Sequence, residues 1–189
     1  RAARAVVARG CGADERHAVI FSGSGATSGL NRLVHLFGVP AQAAAGARPA
    51  VILGPYEHHS NILPWRESGA EVVAVPEAPE GGPDRAALGA ALERLAGRPT
   101  ICALSAASNV TGIVADVAGI SRMVKRAGVL MVWDYAGGGP YLPVSMCPAA
   151  DVEIDAVALS PHKFVGGPGA SGVLVVRRDA VAARRPTWP

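Results

Sequence analysis

Aromatic side chains are scarce in this 189-residue sequence, which holds three each of Trp, Tyr and Phe. Ala, Val, Leu and Gly must therefore fill the interior. Half of the residues are hydrophobic, enough for one globular domain with a large core. Cysteine is scarce too, and odd in number. Cys11, Cys102 and Cys147 form no C-x-x-C pair, which argues against a disulfide scaffold and a zinc site, so no metal is expected and a reducing compartment is. Cys102 sits inside an apolar run and reads as a small core residue. Charge of one sign is not concentrated, with 18 Lys and Arg against 15 Asp and Glu. No basic run interleaves with aromatics, so nucleic acid is not an expected partner. The arginines at 177–178 and 184–185 read as a solvated, fraying end. No apolar run approaches the ~20 residues of a membrane span, so no membrane partner is expected. The start carries no signal-peptide pattern. The expected location is cytoplasmic, or organellar if a targeting segment precedes Arg1. Opening on Arg1 and closing on TWP, the sequence reads as an excerpt of a longer chain.

What the sequence does have is short apolar runs alternating with helical patterns. Strands are expected at 17–21 (HAVIF), 50–54 (AVILG), 71–75 (EVVAV), 101–106 (ICALSA), 129–133 (VLMVW), 155–159 (DAVAL) and 172–176 (GVLVV). Several are continuous runs of Val, Ile and Leu, the pattern of strands buried on both faces. Between them, Leu30, Leu33, Val34 and Phe37 recur at helical spacing. Asp84 caps a helix whose Leu88, Leu92 and Leu95 share a face. Asp116 caps another, with Val117, Ile120 and Val124, closed by Gly128. Strands alternating with helices imply an α/β fold: three α-β-α layers around a mostly parallel sheet of roughly seven strands. The link between the last two strands is short and glycine-rich, so the final strand is expected to be antiparallel. AQAAAGARP (41–49) reads as a flexible linker, EAPEGGPD (77–84) as a surface loop and 143–155 as an irregular connection.

In parallel sheets ligands bind beyond the carboxyl ends of the strands, so the residues after each apolar run carry the most information. GSGAT (23–27) follows a strand and opens a helix, where glycines and free N–H groups suit a phosphate. It is neither a Walker loop nor a G-x-G-x-x-G fingerprint. PYEHHSNILPW (55–65) offers adjacent histidines facing different directions, one of which can stack on a flat ring. SAASNVTG (105–112) puts Asn109 after a strand, able to donate to an oxygen anion. MVWDYAGG (131–138) ends a buried strand on Asp134, a carboxylate that is costly there unless it meets a cation. LSPHKFVGGPG (159–169) ends another on Lys163, beside Ser160 and His162, where desolvation would ready an amine for attack on a carbonyl carbon. Singly, each has a plainer explanation: a tight turn, a surface pair, a turn former, a helix cap or a structural ion pair. Jointly they describe one ligand, with a phosphate, a flat ring, a ring nitrogen wanting a carboxylate and a carbon that a lysine attacks. Pyridoxal 5′-phosphate (PLP) meets all four demands.

The same motifs, in the same order, resemble the class V aminotransferase family of fold-type I PLP enzymes, which includes cysteine desulfurases, selenocysteine lyases and kynureninase. The resemblance implies that Ala26 and Thr27 take the phosphate, with Ser160 and His162. It implies that His58 stacks on the ring, that Asn109 approaches the ring hydroxyl or the substrate carboxylate, that Asp134 pairs with the pyridinium nitrogen, and that Lys163 is the Schiff-base lysine. Lys163, His58 and Asp134 are then the catalytic set. The substrate implied is an amino acid as a small molecule, and the full-length protein a homodimer. The family pattern Asp-x-Ala-Gln reads DYAG here, so Gly137 stands where a glutamine would touch the ring hydroxyl. That departure bears on the desulfurase label more than on PLP binding. Family members are roughly twice as long as a single domain of this size. Residues 1–189 are therefore expected to be the large, cofactor-binding domain, without the N-terminal arm and the C-terminal small domain. That small domain carries a carboxylate-binding arginine and, in desulfurases, a sulfur-accepting cysteine, whose place none of Cys11, Cys102 and Cys147 matches. Two readings compete with the enzyme: a truncated, non-catalytic PLP-binding or interaction domain, and a nucleotide-binding α/β protein that uses GSGAT.

Overall fold

The expected alternation appears in the computed structural model, which describes residues 1–183, as a seven-stranded sheet flanked by helices. In chain order the helices and strands are α1 (Ala2–Gly10), β1 (His17–Phe21), α2 (Gly25–Leu36), α3 (Val39–Ala44), β2 (Ala50–Leu53), α4 (Leu63–Glu67), β3 (Glu71–Ala74), α5 (Arg85–Arg94), β4 (Thr100–Ser105), α6 (Val117–Arg126), β5 (Leu130–Asp134), β6 (Ala156–Leu159) and β7 (Val173–Arg177). Short 3-10 turns span His59–Asn61, Pro161–Lys163 and Arg178–Ala180. The sheet order is β1-β7-β6-β5-β4-β2-β3. Strands β3, β2, β4, β5 and β6 are mutually parallel. The last strand, β7, is antiparallel to both β6 and β1, as its short connection required.

Side chains alternate between two cores, one on each face of the sheet. Ile52, Cys102, Met131, Trp133, Val157 and Val175 pack with Leu88 and Leu92 of α5 and Ile120 and Val124 of α6. Val51, Ala103, Val132, Ala158 and Leu174 point the other way, against Leu30 and Leu33 of α2 and Trp65 of α4. Two-sided burial explains the unbroken apolar runs. Each fully buried Leu contributes about 1.5–3 kcal/mol of burial. The helix ends follow their residues. Asp84 accepts from the N–H groups of Ala86 and Ala87, and Asp116 from that of Gly119. Gly128 closes α6 at φ 73°, with Gly128 N bonded to Lys125 O and Val129 N to Val124 O, a Schellman pair.

Two expectations need correction. Residues 41–49 are not a plain linker, because α3 runs to Ala44 and Arg48 O accepts from the Arg98 guanidinium. Arg177 and Arg178 are not a fraying end. Arg177 closes β7 and grips the fully buried Asp155 with Nε and Nη2, while Arg178 Nε donates to Glu15 O. The arginines at 184–185 lie outside the described residues. Among the described residues no helix is long and apolar enough to cross a membrane.

Candidate active site

The parallel strands end at one edge of the sheet, and a cavity of about 280 Å³ opens there. Its wall brings together Thr27, His58, Asn109, Asp134, Ser160, His162 and Lys163, residues spread over most of the sequence. They arrive on separate elements: the start of α2, the loop after β2, the loop after β4, the end of β5 and the turn after β6.

The α2 side presents a helix start to the cavity. Ser24, the N-cap residue, makes no side-chain cap bond, so the first turn of α2 keeps N–H groups for another acceptor. Ala26 differs from the expectation: it is buried, and its N–H donates to Ser160 Oγ at 2.9 Å. Ser24, Gly25 and Thr27 form the wall in its stead. Gly25 has φ 63°, and a β-carbon on it would meet His162 Cε1 at 2.7 Å and Ser160 Oγ at 3.0 Å. Glycine suits both the positive φ and the close approach of the His162 and Ser160 side chains.

Asp134, the last residue of β5, is 3% exposed. Its hydrogen bond, among the described residues, is from Ala136 N to Oδ1 at 2.8 Å. Burial pushes its pKa up to about 6, against the lowering effects of the Ala136 N–H and the Lys163 charge. A cation brought to this carboxylate would offset that cost. Lys163 lies in the turn Pro161–Lys163 and lines the same cavity, but it is exposed rather than desolvated. The reason is local: β6 stops at Leu159, and Pro161 starts a turn that carries the lysine to the rim. Asn109 is held at the rim by its loop, where Ser108 Oγ accepts from the N–H groups of Val110 and Thr111.

His58 and His59 do not point apart; their ring centroids are 3.9 Å from each other. They still serve different spaces. His58 lines the Lys163 cavity, and His59 a neighbouring one beside α4. His58 Nδ1 lies 2.8 Å from Ser60 Oγ and 3.2 Å from Ser60 N, so Ser60 fixes the ring's orientation. Burial, then the charges of His59 and Lys163, hold its pKa below the ordinary histidine value.

Sequence reasoning missed Glu57. Its Oε1 accepts from Ser105 N at 2.9 Å, and its Oε2 from Ser105 Oγ at 2.8 Å and Asn61 Nδ2 at 2.6 Å. Burial pushes its pKa up to about 7, and the Asp134 charge adds to the effect. The signal was present, since a carboxylate just beyond a buried strand is what drew attention to Asp134. No cysteine lines the cavity: Cys11 and Cys102 are buried elsewhere and Cys147 is exposed.

The family model described as Aminotransferase class-V matches residues 1–189. The chain is 30% identical over 189 residues to the cysteine desulfurase CsdA of Escherichia coli, covering 98% of this chain and 44% of that protein. It is 34% identical over 140 residues to a probable cysteine desulfurase of Aeropyrum pernix, covering 72% of this chain and 32% of the relative. Among solved structures, E. coli CsdA superposes with a TM-score of 0.75 at 29% identity, over 95% of this chain and 43% of that one. The apo cysteine desulfurase of Thermococcus onnurineus gives 0.75 at 26% identity, over 94% and 42%. The chain thus spans less than half the length of these relatives. With a seven-stranded sheet of the expected topology and a family match over every residue, the chain belongs to the class-V aminotransferase family.

Proposed function

We propose that this chain binds PLP through Lys163 and serves a PLP-dependent reaction at the α-carbon of an amino acid, of the desulfurase-like kind. Class-V aminotransferases and cysteine desulfurases are PLP-dependent. The observation that carries the reading is that Lys163, Asp134 and His58 face one cavity from three separate elements. The donor set fits the cofactor. Gly25 lets the His162 and Ser160 side chains lie against the start of a helix whose N-cap residue, Ser24, makes no side-chain cap bond. Asp134 is a buried carboxylate with a single hydrogen bond among the described residues.

Bound there, PLP supplies an aldehyde carbon and an electron-withdrawing ring. Thr27, Ser160 and His162, with N–H groups of α2, bind its phosphate. Asp134 holds a proton on the ring nitrogen. The flat imidazole of His58 would be the stacking partner for its ring, and Asn109 would hold the ring hydroxyl or the substrate carboxylate. Lys163 would be the amine that holds the aldehyde carbon, with loss of water, and the group placed to take or give a proton at the substrate's α-carbon. Residues 1–189 are proposed to be the cofactor-binding large domain of a longer enzyme, which pairs as a homodimer.

The test is direct. PLP added to the chain should give a yellow absorbance band, and borohydride should fix the cofactor on Lys163 in a peptide map. Lys163→Ala should abolish both. Turnover of amino acids by the loaded chain separates an enzyme from a binding domain. No band in the wild-type chain would refute the reading.

A further inference from the structure

Glu57 is a half-buried acid for which the chemistry above has no task. It stands at the carboxyl end of β2, next to His58, and its carboxylate accepts three hydrogen bonds. Space for it is reserved: a β-carbon on Gly54 would sit 2.9 Å from Glu57 Oε1. Asn61, which donates to it, is itself fixed by Trp65 Nε1 at 3.0 Å and by Ala103 O at 3.3 Å. Ser105, which gives Glu57 both its N–H and its hydroxyl, is the last residue of β4. In the sheet register Ser105 lies opposite Asp134, the last residue of β5, and both line the Lys163 cavity. A carboxylate drawn partly out of water is a costly way to tie two loops, since neutral groups of similar shape bear the same geometry without desolvating a charge. Two titratable groups feel its charge, Asp134 from β5 and Cys102 from β4, and His58 follows it in its own loop.

We propose that Glu57 is a positioning residue that acts through Ser105 and Asp134, fixing the end of β4 beside Asp134 and using its charge to strengthen the proton held on the cofactor's ring nitrogen. The inference rests on the site being a PLP site. Glu57 touches neither the cofactor nor the substrate in this scheme. A negative charge on Glu57, bonded to the residue that pairs with Asp134, makes loss of that proton harder, because it would leave two carboxylates uncompensated. The same coupling runs backwards, and Glu57 must feel the ring nitrogen's charge.

The experiment uses the full chain loaded with PLP carrying 15N in the ring, titrated by NMR. In the wild type the ring nitrogen should stay protonated to higher pH than in Glu57→Gln, with a difference of roughly tenfold in proton affinity. Glu57→Asp, which keeps the charge, should restore most of the wild-type behaviour. Identical titrations in wild type and Glu57→Gln would overturn the proposal and leave Glu57 a structural tie. A second measurement needs no variant: the 13C signal of the Glu57 carboxyl, followed with and without PLP, should change its titration midpoint on loading. An unmoved midpoint overturns the proposal even if Glu57→Gln fails to fold. A wild-type chain with no PLP band overturns both this inference and the reading of the site. A band with unaltered titrations overturns this inference alone.

Discussion

A β-carbon placed on Gly25 would lie 2.7 Å from Cε1 of His162, closer than folded chains allow. The His162 and Ser160 side chains therefore lie against the first turn of α2 in space that a side chain at position 25 would take. Its φ of 63° adds a second demand for glycine. Gly25→Ala should cost about 1–3 kcal/mol in urea unfolding, from the backbone strain and the displaced turn. It should also weaken PLP binding at least about tenfold, since each 1.4 kcal/mol lost at the phosphate is a factor of ten. An absorbance titration against PLP checks the second effect. Wild-type affinity in Gly25→Ala would mean that the phosphate is not bound here.

The glycines after Asp134 separate by the same reasoning. A β-carbon at Gly139 would stand 2.8 Å from the backbone oxygen of Tyr135, which cannot move without disturbing the end of β5. At Gly137 it would meet Asn109 Cβ at 3.6 Å, an ordinary contact, and neither residue has a left-handed φ. Gly139→Ala should destabilise by about 1–3 kcal/mol. Gly137→Ala should stay within about 0.5 kcal/mol of wild type. Thermal melts of the two variants decide it, and equal losses would contradict the packing described.

How much of this was legible in the sequence depends on how much of each element is buried. The strands were, because β2, β4 and β6 are buried at every position and so read as unbroken apolar runs. Helix α1 was not, because AARAVVARG buries no residue fully and shows no apolar stripe. Helices α3 and α4, six and five residues long, are too short for a 3.6-residue period to register. At the site, Asp134 and Lys163 were found from their place after buried strands, but the exposure of Lys163 depends on the turn that begins at Pro161. Arg177 was misread as solvated because its partner, Asp155, is set beside it only by the antiparallel pairing of β6 and β7.

That Asp155 is completely buried and satisfied by four donors: Arg177 Nε and Nη2 on Oδ1, Lys125 Nζ and Met131 N on Oδ2. It ties β7, α6 and β5 together at the end of the sheet away from the site. Removing one side of a buried pair leaves charge and N–H groups uncompensated, so Asp155→Ala should cost about 3–5 kcal/mol. Arg85 and Asp116 form an exposed pair, with side chains 57% and 55% accessible. Arg85→Ala should therefore cost less than about 1 kcal/mol. Denaturant unfolding of both variants tests the contrast, and a small loss in Asp155→Ala would show that water enters where the buried cluster is drawn.

His58 gives a pH-dependent check that needs no cofactor. Its imidazolium is disfavoured first by burial, then by the positive charge of His59 and of Lys163, so it loses its proton at a lower pH than a free histidine. The sign of the perturbation is set by these causes. Replacing Lys163 with Met removes one positive neighbour, so the His58 titration should move up in pH. The move should be incomplete, because burial is the largest cause and remains. His59→Ala should act in the same direction, and the two substitutions together should move it further than either alone. Histidine Hε1 signals followed by NMR between pH 4 and 9 give the midpoints. A His58 midpoint unchanged by Lys163→Met would place the ammonium out of range of the imidazole, and with it out of range of any ring the two are proposed to share.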